Sequence, residues 1–211
     1  MKYLIVAGGE VRDGSFFSET VKSFKADRII AADSGALHLK NAGITPDIMV
    51  GDFDSIEEDV FRTFEDKSRI IRYRVEKDVT DTAAAMDICM SEGATDILML
   101  AATGSRFDHV YANVLLLKKA LDSGIRARIM DEHNEIELHD ESFELKNLKG
   151  QTVSFYAMFS DTDITLKGFH YPLDNYHLES HDPLTVSNIV ESNEAMVKIN
   201  GGYLLSIVSS D

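Results

Sequence analysis

Over residues 1 to 133, short apolar runs alternate with amphipathic stretches. The runs are Tyr3–Ala7, Arg28–Ala32, Ile48–Val50, Ile70–Val75, Ile97–Ala101 and Ala127–Met130. Each is too short for a helix and reads as a buried strand. The stretches between them predict helices over Glu19–Phe24, Gly35–Asn41, Glu57–Phe64, Thr82–Ser91 and Phe107–Ser123. In the last of these, Val110, Val114, Leu117 and Leu121 recur at helical spacing, and Gly124 follows as a stop. Strands alternating with helices predict an α/β domain, a mostly parallel sheet with helices on both faces.

From residue 134 to 211 the helical period disappears. The runs Ile136–Leu138, Phe143–Leu145, Thr152–Phe159, Ile164–Phe169, Tyr176–Leu178, Ala195–Ile199 and Tyr203–Val208 are short and β-like. Turn residues punctuate them, among them Lys149-Gly150, Pro172, Pro183 and Gly201-Gly202. This part predicts a smaller all-β sandwich. No repeat, low-complexity tract or linker marks the boundary, which rests on the change of period alone.

Composition narrows the class. The 211 residues are 44% hydrophobic and 27% charged, an ordinary globular balance. Tyr3–Ala7 is too short for a signal peptide or a membrane span, and no other stretch is long and apolar enough to cross a bilayer. Cys89 is the single cysteine, so an intrachain disulfide and a Cys-rich zinc site are both excluded. It sits among Ala85, Met86 and Ile88 and reads as a small buried hydrophobe, which fits a reducing cytoplasm. A formal net charge of −15 argues against nucleic acid and anionic membranes as partners and favours divalent cations and cationic small molecules.

The carboxylates are concentrated where an open α/β sheet binds its ligands, beyond the carboxyl ends of the strands. Asp33 follows the second run, Asp52 and Asp54 the third, Asp78 and Asp81 the fourth, and Asp108 the fifth. A single Asp after a strand is often only a helix N-cap, a reading open for Asp33, Asp78 and Asp81 and, among the hydroxyls, for Ser34 and Ser55. Asp52-Phe53-Asp54 resists it, because two carboxylates so close repel unless a cation joins them. Mg²⁺ takes such hard oxygen ligands together with substrate phosphates. Lys77 and Arg106 fall inside this acidic edge, where they could form ion pairs or neutralise a polyphosphate.

Other chemistries lack their signatures. There is no G-x-x-x-x-G-K-[ST] loop, no G-x-G-x-x-G fingerprint and no G-x-S-x-G elbow. Gly8-Gly9 after the first run reads as an ordinary tight turn. His177 and His181 have a zinc-like spacing only on a helix, and this region reads as strand and turn.

Several segments together resemble the thiamin pyrophosphokinase family. They are Ala32-Asp33-Ser34-Gly35-Ala36, Gly51-Asp52-Phe53-Asp54-Ser55, Lys77-Asp78-Val79-Thr80-Asp81-Thr82 and Thr103-Gly104-Ser105-Arg106-Phe107-Asp108-His109, continuing through Asn113. Gly168-Phe169-His170-Tyr171-Pro172-Leu173 and Val186-Ser187-Asn188 extend the likeness into the β part. The resemblance implies transfer of the pyrophosphoryl group of ATP to the hydroxyl of thiamin, giving thiamin diphosphate and AMP. It implies that Asp52, Asp54, Asp78 and Asp81 hold Mg²⁺. Asp33, Ser34, Lys77, Thr80, Asp81, Arg106 and His109 would bind the nucleotide, with Asp54, Asp81, Arg106 and Asp108 as the catalytic group. Ser187 and Asn188 would contact the thiamin pyrimidine. The family likeness further implies a homodimer with its active site between subunits. Some relatives stack a tryptophan on thiamin; this chain has none, and Tyr171, Tyr176 or Phe169 could stand in. Two alternatives stay open: another heterocyclic alcohol as acceptor, such as a hydroxymethylpterin, and a binding protein without turnover.

Overall fold

Tyr3, Leu4, Ile5 and Val6 are all completely buried, which requires packed layers on both faces of the sheet that holds them. Their strand, β1 (Lys2–Val6), is central among six. With β2 (Arg28–Ala32), β3 (Ile48–Gly51), β4 (Arg69–Arg72), β5 (Asp96–Leu100) and β6 (Arg126–Met130) it forms the parallel order β6-β5-β1-β2-β3-β4. The computed structural model describes residues 1–73 and 79–210. The chain divides into two compact units, Met1–Glu132 and His133–Asp211.

Helices α1 (Gly14–Phe24), α2 (Gly35–Asn41) and α3 (Glu58–Phe64) cover one face of the first unit's sheet. They pack Phe17, Phe24, Leu39, Val60 and Phe64 with Leu4, Val6, Ala31, Met49, Leu98 and Leu100. Alternation sends Ile5, Ile30, Ile97 and Met99 to the opposite face. There α4 (Asp81–Ser91) packs against β1, β2 and β3, and α5 (Phe107–Leu121) against β6. Cys89 is fully buried in α4, and burial pushes its thiol far above the ordinary value, so it is inert packing.

Two helices differ from the sequence pattern for identifiable reasons. The first starts at Gly14 rather than Glu19, because the Asp13 carboxylate accepts from the amides of Ser15 (2.8 Å) and Phe16 (3.2 Å). In α5 the buried positions are Asn113, Leu117 and Ala120, whereas Val114 and Leu121 are half-buried. The face is turned toward a polar residue that the apolar stripe could not include. The fourth strand ends at Arg72, and Val75 lies outside the described residues.

The second unit is all β. Its strands are β7 (Asn134–His139), β8 (Phe143–Lys146), β9 (Thr152–Met158), β10 (Thr162–Lys167), β11 (Leu173–Leu178), β12 (Asn188–Ile189), β13 (Glu194–Asn200) and β14 (Tyr203–Ser209). They pair antiparallel in the orders β12-β9-β14-β7 and β11-β10-β13-β8. Val153, Phe155 and Leu204 of the first layer pack with Ile164, Leu166 and Val197 of the second, a sandwich core. Alternate burial along β9 and β13 follows the period-two pattern of their sequences. Strand β12 escaped that pattern because two residues carry no period. Among the described residues no helix is long and apolar enough to cross a membrane.

Candidate active site

The strand order of the first unit reverses at β1, since the chain runs outward through β2, β3 and β4 before returning to β5 on the other side. Loops leaving β1 and β5 therefore diverge and open a crevice at the carboxyl edge. A cavity of about 560 Å³ lies there, walled by the loops after β1, β2, β3 and β5 and by the first turns of α4 and α5. The amino ends of α4 and α5 bring the positive ends of their dipoles to this edge, which suits an anionic ligand.

The backbone at this edge is strained. Asp33, Phe53 and Ala101, following β2, β3 and β5, have φ of 47°, 62° and 51° without being glycine. Left-handed backbone costs a non-glycine residue about 1–2 kcal/mol, and such residues gather where a chain must present groups to a ligand.

Asp33 is not the cap of α2. Ser34 takes the cap position, with no side-chain capping bond, and the Asp33 amide donates to Val50 O at 2.8 Å. The Asp33 carboxylate turns across to β3's loop, where Oδ2 accepts from the Ser55 hydroxyl. Its other oxygen, Oδ1, is buried and has no hydrogen-bond partner among the described residues. Thr80, by contrast, does cap a helix: its hydroxyl accepts from Ala83 N at 3.2 Å, and Asp81 opens α4 beside it. Asp33, Ser34, Thr80, Asp81, Arg106 and His109 all face the cavity.

Asp52 and Asp54 are displayed by the residue between them. Phe53 is buried, its ring 5.3 Å from that of Phe61 and 5.2 Å from the Arg72 guanidinium. Arg72 also donates to Asp52 O at 3.2 Å. With Phe53 anchored inward, both carboxylates are thrown outward, and the Asp54 amide donates to Asp52 Oδ1 at 3.2 Å. The Asp54 carboxyl is held above its ordinary range, first by its hydrogen bond with Asp52, then by the Asp52 charge, with Asp33 and Asp81 adding to it. Neither Asp52 nor Asp54 is part of the cavity wall itself.

Four mutually repelling carboxylates and a buried, unsatisfied oxygen suit a hard divalent cation such as Mg²⁺. Among the described residues no three acidic, histidine or cysteine side chains already converge as a cage. Such a cation would therefore rely on ligand oxygens to complete its shell. Lys77 and Asp78 lie outside the described residues.

Arg106 precedes α5 and donates to Asp108 through Nε (3.2 Å) and Nη2 (2.6 Å). The guanidinium holds the Asp108 carboxyl below the usual carboxylate range, mainly through that hydrogen bond. His109 is exposed on the same turn, and its amide donates to Arg106 O at 3.1 Å.

Gly8-Gly9 is not the tight turn that the sequence suggested. A Cβ on Gly8 would lie 2.1 Å from Ser34 Oγ, and one on Gly9 2.1 Å from Thr103 O, so both are glycines of close approach. Gly9 N donates to Ala101 O (2.7 Å) and Glu10 N to Thr103 O (2.9 Å). The Glu10 carboxylate completes the clasp, accepting from Ser105 N at 3.1 Å and from Arg12 Nε and Nη2 at 3.0 and 2.9 Å. Glu10 and Asn113, whose buried amide donates to Ala102 O at 2.8 Å, line the cavity without having been singled out as site residues. The Gly-Gly pair was the signal that could have drawn attention to the first of them.

In the β unit, Ser187 and Asn188 have opposite environments. Ser187 is exposed in left-handed backbone, φ 57°, with its amide donating to Ser154 Oγ at 3.0 Å. Asn188 is buried; Oδ1 accepts from Tyr171 N (3.0 Å) and Ile189 N (2.9 Å), while Nδ2 donates to Tyr171 O (2.8 Å). Of the three aromatic candidates, Phe169 is buried in the core and Tyr176 is tied through its hydroxyl to Asp182 at 2.7 Å. Tyr171 is the exposed one, 61% accessible, with the His170 ring edge-on at 4.6 Å.

Comparison with known proteins gives this geometry a context. The family model described as thiamin pyrophosphokinase, catalytic domain, matches residues 22–129. The model described as thiamin pyrophosphokinase, vitamin B1 binding domain, matches residues 135–204. Thiamine pyrophosphokinase of Bacillus subtilis (strain 168) is 32% identical over 186 residues, covering 86% of this chain and 87% of its own. A crystal structure of thiamine pyrophosphokinase from Bacillus subtilis superposes over the whole of both chains with a TM-score of 0.89 at 29% identity. That of thiamin pyrophosphokinase from Geobacillus thermodenitrificans has a TM-score of 0.85 at 30% identity, covering 100% of this chain and 98% of its own. The match runs through both units, so the chain belongs to the thiamin pyrophosphokinase family.

Proposed function

We propose that this chain is an enzyme that transfers the pyrophosphoryl group of ATP to the hydroxyl of thiamin, releasing AMP and thiamin diphosphate. The observation that carries the reading is the cavity at the carboxyl edge of the parallel sheet, bordered by carboxylates on one side and by Arg106 at the start of α5 on the other. Family membership in both units supports the substrate pair.

In the reaction the hydroxyl oxygen of thiamin bonds to the β-phosphorus of ATP. The bond from that phosphorus to the oxygen bridging toward the α-phosphate breaks, AMP departs with the electron pair, and the hydroxyl proton is lost. No covalent enzyme intermediate is required, so the protein's task is alignment and charge compensation. Asp52, Asp54, Asp78 and Asp81, with Asp33 beside them, would hold Mg²⁺, which when bound neutralises phosphate charge. Ser34, Thr80 and His109 line the triphosphate path, the amino ends of α4 and α5 face it, and Lys77 would add a further cation for the nucleotide. Arg106 offsets charge on the transferred group. Asp108 serves by orienting Arg106, since a carboxylate held below its usual range is a poor proton acceptor.

On the acceptor side, Ser187 and Tyr171 offer a hydroxyl and an exposed ring to the thiamin pyrimidine, and Asn188 acts through Tyr171. The permanent positive charge of thiamin favours an acidic protein. The working form is a homodimer with the active site between subunits, and the compartment is the cytoplasm.

Chromatography of products from protein, ATP, Mg²⁺ and thiamin tests the reading, with Asp54→Asn run in parallel. Equal amounts of AMP and thiamin diphosphate, lost in the variant, are expected. ADP with thiamin monophosphate would overturn attack at the β-phosphorus. No thiamin-dependent product from folded protein would overturn the choice of acceptor.

A further inference from the structure

Ser55 closes the turn that begins with Asp52 and Asp54, yet its hydroxyl reaches back to a different strand end and donates to Asp33 Oδ2. Both residues face the cavity. Asp33 is held from its other side too: its left-handed backbone is fixed by the amide bond to Val50 O at 2.8 Å. The remaining freedom of the carboxylate is rotation about its two side-chain bonds. With Oδ2 engaged by Ser55, that rotation stops with Oδ1 buried and, among the described residues, without a partner. A carboxylate oxygen buried beside other carboxylates and given no donor is unfavourable unless a positive group occupies the space before it.

Resting on the proposed function, we infer that Ser55 is a positioning residue for the divalent cation of the metal–nucleotide complex, acting through Asp33. The hydroxyl selects which Asp33 oxygen is presented. It also ties the turn bearing Asp52 and Asp54 to the end of β2, so that three carboxylates from two strand ends keep one spacing. Removing the hydroxyl leaves both Asp33 oxygens unpaired, and repulsion from the neighbouring carboxylates then turns the group away. Loss of an outer partner of this kind typically weakens metal affinity about 10- to 100-fold.

The test reads metal binding as well as turnover. Mn²⁺ is titrated into wild-type protein, Ser55→Ala and Ser55→Thr, alone and with ATP but without thiamin, and bound metal is followed by electron paramagnetic resonance. Ser55→Ala is expected to need at least about tenfold more Mn²⁺ for half-occupancy, with a lower kcat and an unchanged KM for thiamin. Ser55→Thr keeps the hydroxyl and should bind nearly as wild type. Should Ser55→Ala not fold, Ser55→Cys, nearly isosteric and a far weaker donor, replaces it with the same expectation. Wild-type affinity for Mn²⁺ in a folded Ser55→Ala, or no Mn²⁺ binding by the wild type, overturns the inference. Ser55-dependent Mn²⁺ binding in a protein that makes no thiamin diphosphate upholds it and places the failure in the choice of acceptor.

Discussion

Arg106 and Asp108, separated by one residue at the start of α5, are joined by two hydrogen bonds that fix the guanidinium plane at the rim of the cavity. Both side chains are mostly exposed, 69% and 66% accessible, so the pair contributes little to stability. Its value lies in orientation, since a two-pronged bond defines direction as well as distance.

Asp108→Asn should therefore leave the melting temperature nearly unchanged while lowering kcat/KM about 10- to 100-fold, the usual consequence of a misaimed group. Arg106→Lys should fare no better, because an ammonium cannot reproduce the fork. Steady-state kinetics beside a thermal melt decide this. An Asp108→Asn enzyme of wild-type kcat/KM would show that the orientation is immaterial.

The clasp between the loops after β1 and β5 gives a second expectation. A methyl group on Gly9 would meet the Thr103 carbonyl at 2.1 Å, and that carbonyl accepts from Glu10 N in the same clasp. Gly9→Ala must part the two loops, costing about 1–3 kcal/mol as overpacking does. The displaced Ser105-Arg106 turn should lower kcat/KM for ATP about a hundredfold. Urea unfolding and initial rates at varied ATP are the measurements, and an unchanged KM and kcat would mean that the clasp does not shape the nucleotide site.

The architecture was legible because it rests on periods. Six apolar runs and the stretches between them specify a parallel sheet with two helical layers, and β9 and β13 alternate strictly. What could not be read depends on backbone and polar detail. Asp33 looks like a cap in sequence, and only its left-handed φ and the reach of Ser55 show otherwise. Gly8 and Gly9 look like a turn, although what excludes a side chain there is Ser34 and Thr103, far away in sequence. Asn188 enters the site through the family resemblance alone, and its hydrogen bonds to both backbone groups of Tyr171 appear only when the strands are assembled.

His177 supplies an expectation for pH. Its Nδ1 lies 2.8 Å from Asp163 Oδ1 and its Nε2 3.9 Å from Asp161 Oδ2. The hydrogen bond to Asp163 comes first in raising its pKa above the usual histidine value, and the charges of Asp161 and Glu179 add to it. A histidine raised in the folded state contributes stability that is complete below its unfolded pKa. That contribution is lost as pH rises through the folded value. An NMR titration should place His177 above the ordinary value, and Asp163→Asn should bring it down. A midpoint that the substitution leaves in place would show that the pair does not form.

Asn188 gives the sharpest separation of structure from binding. One buried amide satisfies three backbone groups, the N–H and C=O of Tyr171 and the N–H of Ile189. Asn188→Ala strands all three, and urea unfolding should show a loss of about 3 kcal/mol. Asn188→Asp keeps the acceptor for both amides but sets a carboxylate oxygen against the Tyr171 carbonyl. That variant should be weakened at neutral pH and recover as pH falls, because burial beside a carbonyl raises the new carboxyl's pKa and protonation restores a donor. Tyr171 loses its anchor in Asn188→Ala and half of it in Asn188→Asp, so KM for thiamin should rise in both, more in the former, while KM for ATP stays the same. If the Asn188→Asp loss were independent of pH, the Nδ2 bond to Tyr171 would not be what holds this loop. A rise in KM for ATP would show that the clamp shapes the nucleotide site instead.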